Sequence, residues 1–130
     1  MIHDGISPPT LANIFYELGW MQAYGKETLG IRVGDVTIPS DFVRTEYVPY
    51  DNEFERRFGS FLRELEERAA YYTLVSEQVE RNPLLAIDYL RRAYLLTGDQ
   101  TSRDAANEVF ASAGFEDRAK NSVEMLLTNF

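Results

Sequence analysis

Apolar residues recur at helical spacing in the first part of the chain, between Pro8 and about Gly25. One apolar stripe of this predicted helix consists of Leu11, Ile14, Phe15, Leu18 and Met21. Most of the other side is also apolar or aromatic, through Ala12, Tyr16, Gly19, Trp20, Ala23 and Tyr24. Glu17 is the only charged residue of the stretch. A helix that is apolar nearly all round is expected to be buried on most sides.

Two short strand patterns follow this helix. The first covers residues 28–33 and ends at the turn pair Gly34-Asp35, and the second covers about residues 46–50. A connection through residues 38–42 separates them. The order helix, strand, loop, strand and then a long helix fits the end of an open α/β sheet. The predicted fold class is therefore α/β, mostly helical, with parallel strands.

The longest amphipathic pattern covers about residues 52–81 and predicts one long helix. Its apolar positions recur at steps of three, four or seven residues: Phe54, Phe58, Phe61, Leu65, Ala69, Tyr72 and Val79. The pairs Glu53–Arg57 and Glu64–Arg68 stand four residues apart in the favourable order, with the acid first. We interpret these charges as a solvated face rather than a binding site.

Three shorter helices are predicted in the last part of the chain. Asn82-Pro83 has the pattern of an N-cap followed by a proline in the first turn, so a helix begins there and runs to Gly98. Two more helices are predicted, over about residues 102–113 and 116–128. The predicted domains are thus a partial α/β unit and a C-terminal helical extension, residues 1–81 and 82–130.

Composition and charge narrow the possible functions. With 45% apolar and 26% charged residues among 130, the chain is typical of a folded protein. Its formal charge of −8 repels phosphate backbones and anionic lipid, so no nucleic-acid or membrane partner is expected. Cysteine is absent and His3 is the single histidine, so no metal site is expected. The sequence has neither an apolar run of roughly 20 residues nor a signal segment, so we expect a cytoplasmic protein.

The segment with the clearest candidate chemistry is Asn13-Ile14-Phe15-Tyr16-Glu17-Leu18-Gly19, continued by Ala23 and Gly25-Lys26. It resembles a segment of the TIR-like and nucleoside 2-deoxyribosyltransferase-like families of nucleotide-binding proteins. Residues 38–41 and 47–50 are also similar to the end of many bacterial TIR-like domains. The resemblance covers roughly residues 9–65, about half of the chain.

The resemblance implies a flavodoxin-like (Rossmann-like) parallel sheet and chemistry on the N-glycosidic bond of NAD or of a nucleoside. It implies that Glu17 is the catalytic carboxylate, and no cofactor is expected. Breaking such a bond builds positive charge on the sugar, so a fixed anion beside the anomeric carbon lowers the barrier. Asn13, Trp20 and Tyr24 lie at helical spacing from Glu17. Their amide and rings are candidates for substrate binding, on a ribose hydroxyl and a base.

Several of these residues also have structural interpretations. Glu17 is alternatively part of a hydrogen-bond network, or a partner for a lysine at a domain edge. Trp20 and Tyr24 are alternatively core or interface aromatics. Asp41 and Asp51 fit turn and cap positions better than the role of a general acid.

The motif stands in an unusual context. The families place several strand–helix units before it, whereas twelve residues precede Asn13 here. A parallel sheet of two short strands cannot cover its faces or satisfy its edges. Another chain completes the sheet, or the strands are remodelled, or the sequence is a piece of a longer protein. In each case the active site is incomplete in one chain, and we expect a homo-oligomer or a partner chain to cover the apolar helix.

Two function hypotheses follow. The first is a nucleotide-binding, TIR-like protein related to N-glycosidases, a hydrolase or transferase with Glu17 at its centre. The second is a non-catalytic oligomerisation or interaction module that retains the motif as scaffold. The absent strand–helix units favour the second hypothesis, and the intact segment of residues 15–19 favours the first. Whether the chain is an enzyme stays open on the sequence alone.

Overall fold

The computed structural model describes residues 1–36, 38, 46–79 and 81–128. This part of the chain is mostly helical and forms two compact units, Met1–Leu62 and Arg63–Phe130. In chain order its elements are α1 (Pro8–Ala23), β1 (Leu29–Arg32), β2 (Glu46–Pro49), α2 (Phe54–Gln78), α3 (Pro83–Thr97), α4 (Gln100–Ser112) and α5 (Asp117–Thr128). Each predicted helix and strand is present, with ends within a few residues of the predicted ones. Of the predicted connection between the strands, residues 39–42 lie outside the described residues.

The sheet of the first unit is parallel, which confirms the prediction made from the order of elements. The residues of β1 pair in register with those of β2, Leu29 opposite Glu46 and Arg32 opposite Pro49. On the other side of β1, Ile2 adds a single parallel bridge. The Ile2 N–H donates to the Ile31 carbonyl at 2.7 Å, and the Ile2 carbonyl accepts the Val33 N–H at 2.8 Å. Ile2 is buried, although the hydropathy pattern does not single it out.

A close approach between the two strands depends on Gly30. This glycine stands opposite Tyr47 in the register, and a Cβ at residue 30 would overlap carbons of the Tyr47 ring. A glycine inside a strand often marks such a close approach. The ring of Tyr47 therefore lies over the Gly30 backbone, and a side chain at residue 30 would displace it.

α1 is more exposed than its composition predicts. Phe15 is its one buried residue, and Leu11, Ile14 and Leu18 are half-buried. Apolar and aromatic residues on the rest of the circumference are exposed, namely Ala12, Tyr16, Trp20, Met21, Ala23 and Tyr24. The prediction that this helix is buried on most sides is wrong for the single chain, because within the described residues only one stripe of the helix is covered.

α2 shows the predicted amphipathic stripe. All of its predicted apolar positions are buried or half-buried, and Ala69 and Ser76 are the most enclosed residues of the helix. The predicted pair of Glu53 and Arg57 is present at 2.9 Å. The two compact units meet inside this helix, between residues 62 and 63, whereas the predicted domain boundary is near residue 81. A division by contacts does not test the assignment of residues 1–81 to an α/β unit, which stays a prediction.

The second unit contains the best-enclosed core. α3 packs against α4, and α4 packs against α5. The core residues come from all three helices: Ile87, Leu90, Ala106, Val123 and Leu127. Among them Ile87 and Ala106 are fully buried. This three-helix core corresponds to the predicted helical extension.

Capping residues set the ends of these helices. Asn82 Oδ1 accepts the Leu85 N–H at 3.3 Å at the start of α3, and Gly98 ends the helix in the left-handed region at φ 70°. Asp99 then caps α4 by accepting the Thr101 N–H at 3.0 Å. The predictions from Asn82-Pro83 and from Gly98 are confirmed.

Candidate functional site

The helix that carries the motif is fixed at both ends by local hydrogen bonds. Ser7 is its N-cap, with Oγ accepting the Thr10 N–H at 3.4 Å, and two prolines occupy the first turn. At the other end Gly25 has a φ of 76°, and the Lys26 N–H donates to the Met21 carbonyl at 3.0 Å. The Gln22 side-chain amide also donates to Thr28 Oγ1 at 2.9 Å, just before β1. α1 is therefore a defined helix even though much of it is exposed.

An aromatic ridge runs along the exposed side of α1 and consists of Tyr16, Trp20 and Tyr24. The Tyr16 and Trp20 ring centroids are 6.1 Å apart, and those of Trp20 and Tyr24 are 5.8 Å apart. The spacing of four residues places all three on one row of the helix surface. The exposed fractions of the three residues are 66%, 51% and 62%, respectively. Three large rings in a row thus face solvent in the free chain.

A furrow of small residues, Gly19 and Ala23, follows the aromatic ridge. A groove of about 480 Å³ is lined by the aromatic ridge, the furrow and Phe15, and we name it the aromatic groove. All of its lining residues belong to α1 or, in the case of Tyr24, to the C-cap of α1. Small-molecule sites usually enclose most of the ligand surface, which a single helix cannot do. The aromatic groove is one wall of a site, and the opposite wall has to come from another surface.

The structure brings together two of the four predicted site residues. Trp20 and Tyr24 line the aromatic groove, whereas Glu17 and Asn13 do not. Glu17 is exposed, and no described residue forms a hydrogen bond or ion pair with it. Asn13 is also exposed. At about 100° per residue, Glu17 points well away from the furrow residue Gly19. The arrangement therefore gives Glu17 neither the enclosure nor the exclusion of water that would strengthen its charge.

The predicted site does not include Tyr16 or the furrow, although the apolar pattern places them on the same side of the helix as Trp20 and Tyr24. The predicted site is centred on Glu17 and consists of residues at helical spacing from it. The spacing of Tyr16, Trp20 and Tyr24 by four residues was the available signal, since it places the rings on one row. Gly19 is three residues from Tyr16, which places the furrow beside that row.

Charged groups gather where β2 ends and α2 begins. Asp51 Oδ1 accepts the Glu53 N–H at 2.9 Å, and Asp51 Oδ2 accepts a hydrogen bond from Arg57 at 2.8 Å. Both Arg57 and Arg56 donate to Glu53 Oε2 at 2.9 Å. The hydrogen bond from Arg57 is the main cause of a lowered pKa of Asp51, and that from Arg56 is the main cause of a lowered pKa of Glu53. Asp51 is at a turn position before α2, in line with its predicted turn or cap role, and Asp41 lies outside the described residues.

This charged cluster lies at the carboxyl ends of the parallel strands, where ligands of open α/β sheets usually bind. Its carboxylates already accept hydrogen bonds from arginines, and the whole cluster is on the surface. Its hydrogen bonds hold the turn that leads into α2. A further depression of about 420 Å³ lies at the opposite, amino ends of the strands, beside Lys26 and Glu46.

Two other features of the described part of the chain bear on function. The His, Asp and Glu residues there form no cluster able to hold a metal ion. Within the same ranges, no helix has the length and apolar character required to cross a bilayer. Among the described residues, the aromatic groove is therefore the main candidate site.

Comparisons with known proteins identify no relative. No protein-family model, no curated protein and no solved structure matches this chain. The resemblance of residues 13–19 to the TIR-like and deoxyribosyltransferase-like families accordingly stays a prediction from the motif.

Proposed function

We propose that this chain is an interaction module that binds a protein surface through the aromatic ridge and furrow of α1. The observation that carries the proposal is the row of three exposed rings on a helix with a single charged residue. The largest contiguous apolar patch of a soluble monomer is typically about 300–600 Å² and is often functional. Tyrosine and tryptophan are also the residue types most enriched at the energetic centres of interfaces.

The exposed area of the aromatic ridge is large enough for this role. An aromatic side chain buries roughly 150–250 Å² when it is enclosed completely. Since the three rings are 51–66% exposed, roughly 300–400 Å² of ring surface is left for a partner. Covering that surface is worth roughly 8–10 kcal/mol at 25 cal/mol per Å², before the cost of association is subtracted. Since association itself costs about 4–15 kcal/mol, the ridge alone supports a weak contact.

The experiment replaces Tyr24 by a photo-crosslinking phenylalanine analogue in the full chain, expressed in its own cells. We expect one discrete crosslinked product, because the ring at residue 24 faces the partner. The matched control carries the same analogue at Tyr71, a 61% exposed tyrosine of α2. A product that forms equally from both positions, or that persists after Trp20→Ala, would contradict the proposal.

A second candidate function is a nucleotide-binding, TIR-like protein with chemistry on N-glycosidic bonds. It is supported by the parallel pairing of β1 and β2 after a helix that carries Glu17, as a flavodoxin-like sheet requires. It is also supported by the rings of Trp20 and Tyr24, which offer faces for a base. In this interpretation a partner polypeptide supplies the opposite wall of the groove and the remaining strands. Glu17 then becomes enclosed and acts as the carboxylate beside the anomeric carbon.

This second candidate is tested by incubating the chain with NAD and with deoxynucleosides, alone and with any crosslinked partner. Release of free base is measured by chromatography for the wild type and for Glu17→Gln. Base release that is lost in the variant supports the enzymatic function. If neither protein releases base while the crosslink at residue 24 persists, the chain is an interaction module without this activity.

A further inference from the structure

We infer that the partner of the aromatic ridge is a second copy of this chain, paired through α1 about a two-fold axis near Trp20. This inference rests on the proposed function and names its partner. Three properties of α1 support it: the shape of its exposed side, the distribution of charge, and the area available. The shape and the charge favour self-association, and the area determines how strong the association is.

The exposed side of α1 is complementary to itself in shape. The aromatic ridge projects from the helix, and the furrow of Gly19 and Ala23 lies directly beside it. When ridges formed by residues four apart interlock, the helices cross at about 50° and each ridge fills the groove of the other helix. A two-fold axis presents the same patch on both copies. The Trp20 ring is then at the centre, where interfaces place their dominant residues.

The charge distribution favours a neutral contact. The chain has a net charge of −8, but Glu17 is the only charged residue between Pro8 and Gly25, and it does not line the aromatic groove. A basic partner would be recognised by acidic residues around the contact, and this groove offers none. Two copies meet here with little like-charge contact, while the remainder of each molecule repels the other at long range.

The available area predicts a weak and reversible dimer. The rings of two copies together offer roughly 600–800 Å² of exposed surface. Specific interfaces below about 1,200 Å² in total are at the low end and are mostly transient. We therefore expect a dissociation constant on the order of 1–100 µM.

The test is sedimentation equilibrium of the full chain over a concentration series, with four proteins compared. The wild type is expected to change from monomer to dimer within the series. Trp20→Ala removes the central ring and is expected to weaken the dimer by about thirtyfold or more. Ala23→Lys fills the furrow with a long charged side chain and is expected to abolish the dimer. Tyr71→Ala removes an equally exposed ring outside α1 and is expected to dimerise like the wild type.

Folding of the variants is checked by far-UV circular dichroism. Ala23 is exposed and is the last residue of α1, where a cation is favourable to the helix dipole. The Ala23→Lys chain is therefore expected to keep its helical signal, so loss of the dimer is not loss of the fold. Raising the salt from about 20 to 150 mM is expected to strengthen the dimer, because salt screens repulsion between two acidic chains.

The inference is overturned if the wild type stays monomeric up to about 500 µM, well above the expected dissociation constant. It is also overturned if a dimer forms that neither Trp20→Ala nor Ala23→Lys weakens. The crosslink at residue 24 separates these failures from failure of the proposed function. A discrete product with the mass of a different protein keeps the interaction module and rejects self-association, whereas absence of any discrete product rejects both.

Discussion

α1 and α3 begin in the same way but differ greatly in burial. Each has a hydrogen-bonding cap followed by proline, Ser7-Pro8 and Asn82-Pro83, and they contain 16 and 15 residues. α3 carries three charged residues and α1 carries one, yet four residues of α3 are buried and only one of α1. α3 packs along α4, whereas the described residues leave most of α1 uncovered. Burial follows the presence of a packing partner, and the apolar fraction of a helix does not by itself ensure it.

The difference has a functional meaning. The apolar side chains of α3 stabilise the fold of the free chain, since they form its core with α4 and α5. The exposed rings of α1 contribute little to that fold and remain available for contact with another surface. The comparison therefore separates residues whose loss unfolds the chain from residues whose loss removes an interaction.

The largest effect is expected in the core of α3. Ile87→Ala removes a side chain with no exposed surface and leaves a cavity among Leu90, Val123 and their neighbours. The free energy of unfolding is expected to fall by about 2–5 kcal/mol. Urea unfolding followed by circular dichroism measures it. A loss below about 1 kcal/mol would contradict the enclosed core.

A smaller loss is expected in the sheet of the first unit. Gly30→Ala places a methyl group against the Tyr47 ring and is expected to cost about 1–3 kcal/mol. The matched control is Gly59→Ala in α2, where a Cβ meets nothing within 4 Å. That substitution is expected to stabilise by about 0.5–1 kcal/mol through helix propensity. Thermal unfolding of both variants checks the pair, and equal effects at the two glycines would reject the close approach.

Little loss of stability is expected on the exposed side of α1. Tyr16→Ala removes a ring that is mostly in solvent, so the free energy of unfolding should change by less than about 0.5 kcal/mol. The measurement is made by urea unfolding at low protein concentration, where self-association does not contribute. A loss similar to that of Ile87→Ala would show that the ring supports the fold of the chain itself.

The smallest effect is a dependence on pH at the start of α2. Arg57 lowers the pKa of Asp51 in the folded chain, so the pair stabilises the fold above about pH 4. This stabilisation is lost as the pH falls through the lowered pKa of Asp51. Arg57→Met is expected to raise the pKa of Asp51, and the stability difference from the wild type should vanish at low pH. NMR titration of the Asp51 carboxyl measures the pKa. The pKa of Asp99, held low by the Thr101 N–H, should be unchanged.

Local sequence signals predicted the elements well because each is set by nearby residues. Asn82-Pro83 and Gly98 bound α3 as expected, and the apolar stripe of α2 has the predicted orientation. The bridge of Ile2 to β1 was not predictable, since it joins residues about 30 positions apart with no local pattern. The exposure of α1 was not predictable either. Periodicity shows which sides of a helix are apolar, but it does not show whether another element covers them.

The candidate site was predicted in part. Trp20 and Tyr24 line the aromatic groove, while Asn13 and Glu17 lie outside it. The predicted site takes the carboxylate of Glu17 as the centre of the functional surface of α1. In the structure the row of rings defines the surface, and the charge lies at its margin.

The most direct test of the account uses Trp20, the single tryptophan of the chain, as a reporter of the aromatic ridge. Acrylamide quenching and the emission maximum of Trp20 are followed as the protein is concentrated. In the dilute monomer the indole is expected to be exposed to solvent and readily quenched. As the protein is concentrated, the emission maximum of Trp20 is expected to shift to the blue and its quenching by acrylamide to decrease. The same changes are expected in Tyr71→Ala, and neither is expected in Ala23→Lys. An indole that is shielded in the dilute monomer, or that stays exposed at every concentration and in the crosslinked complex, would contradict it.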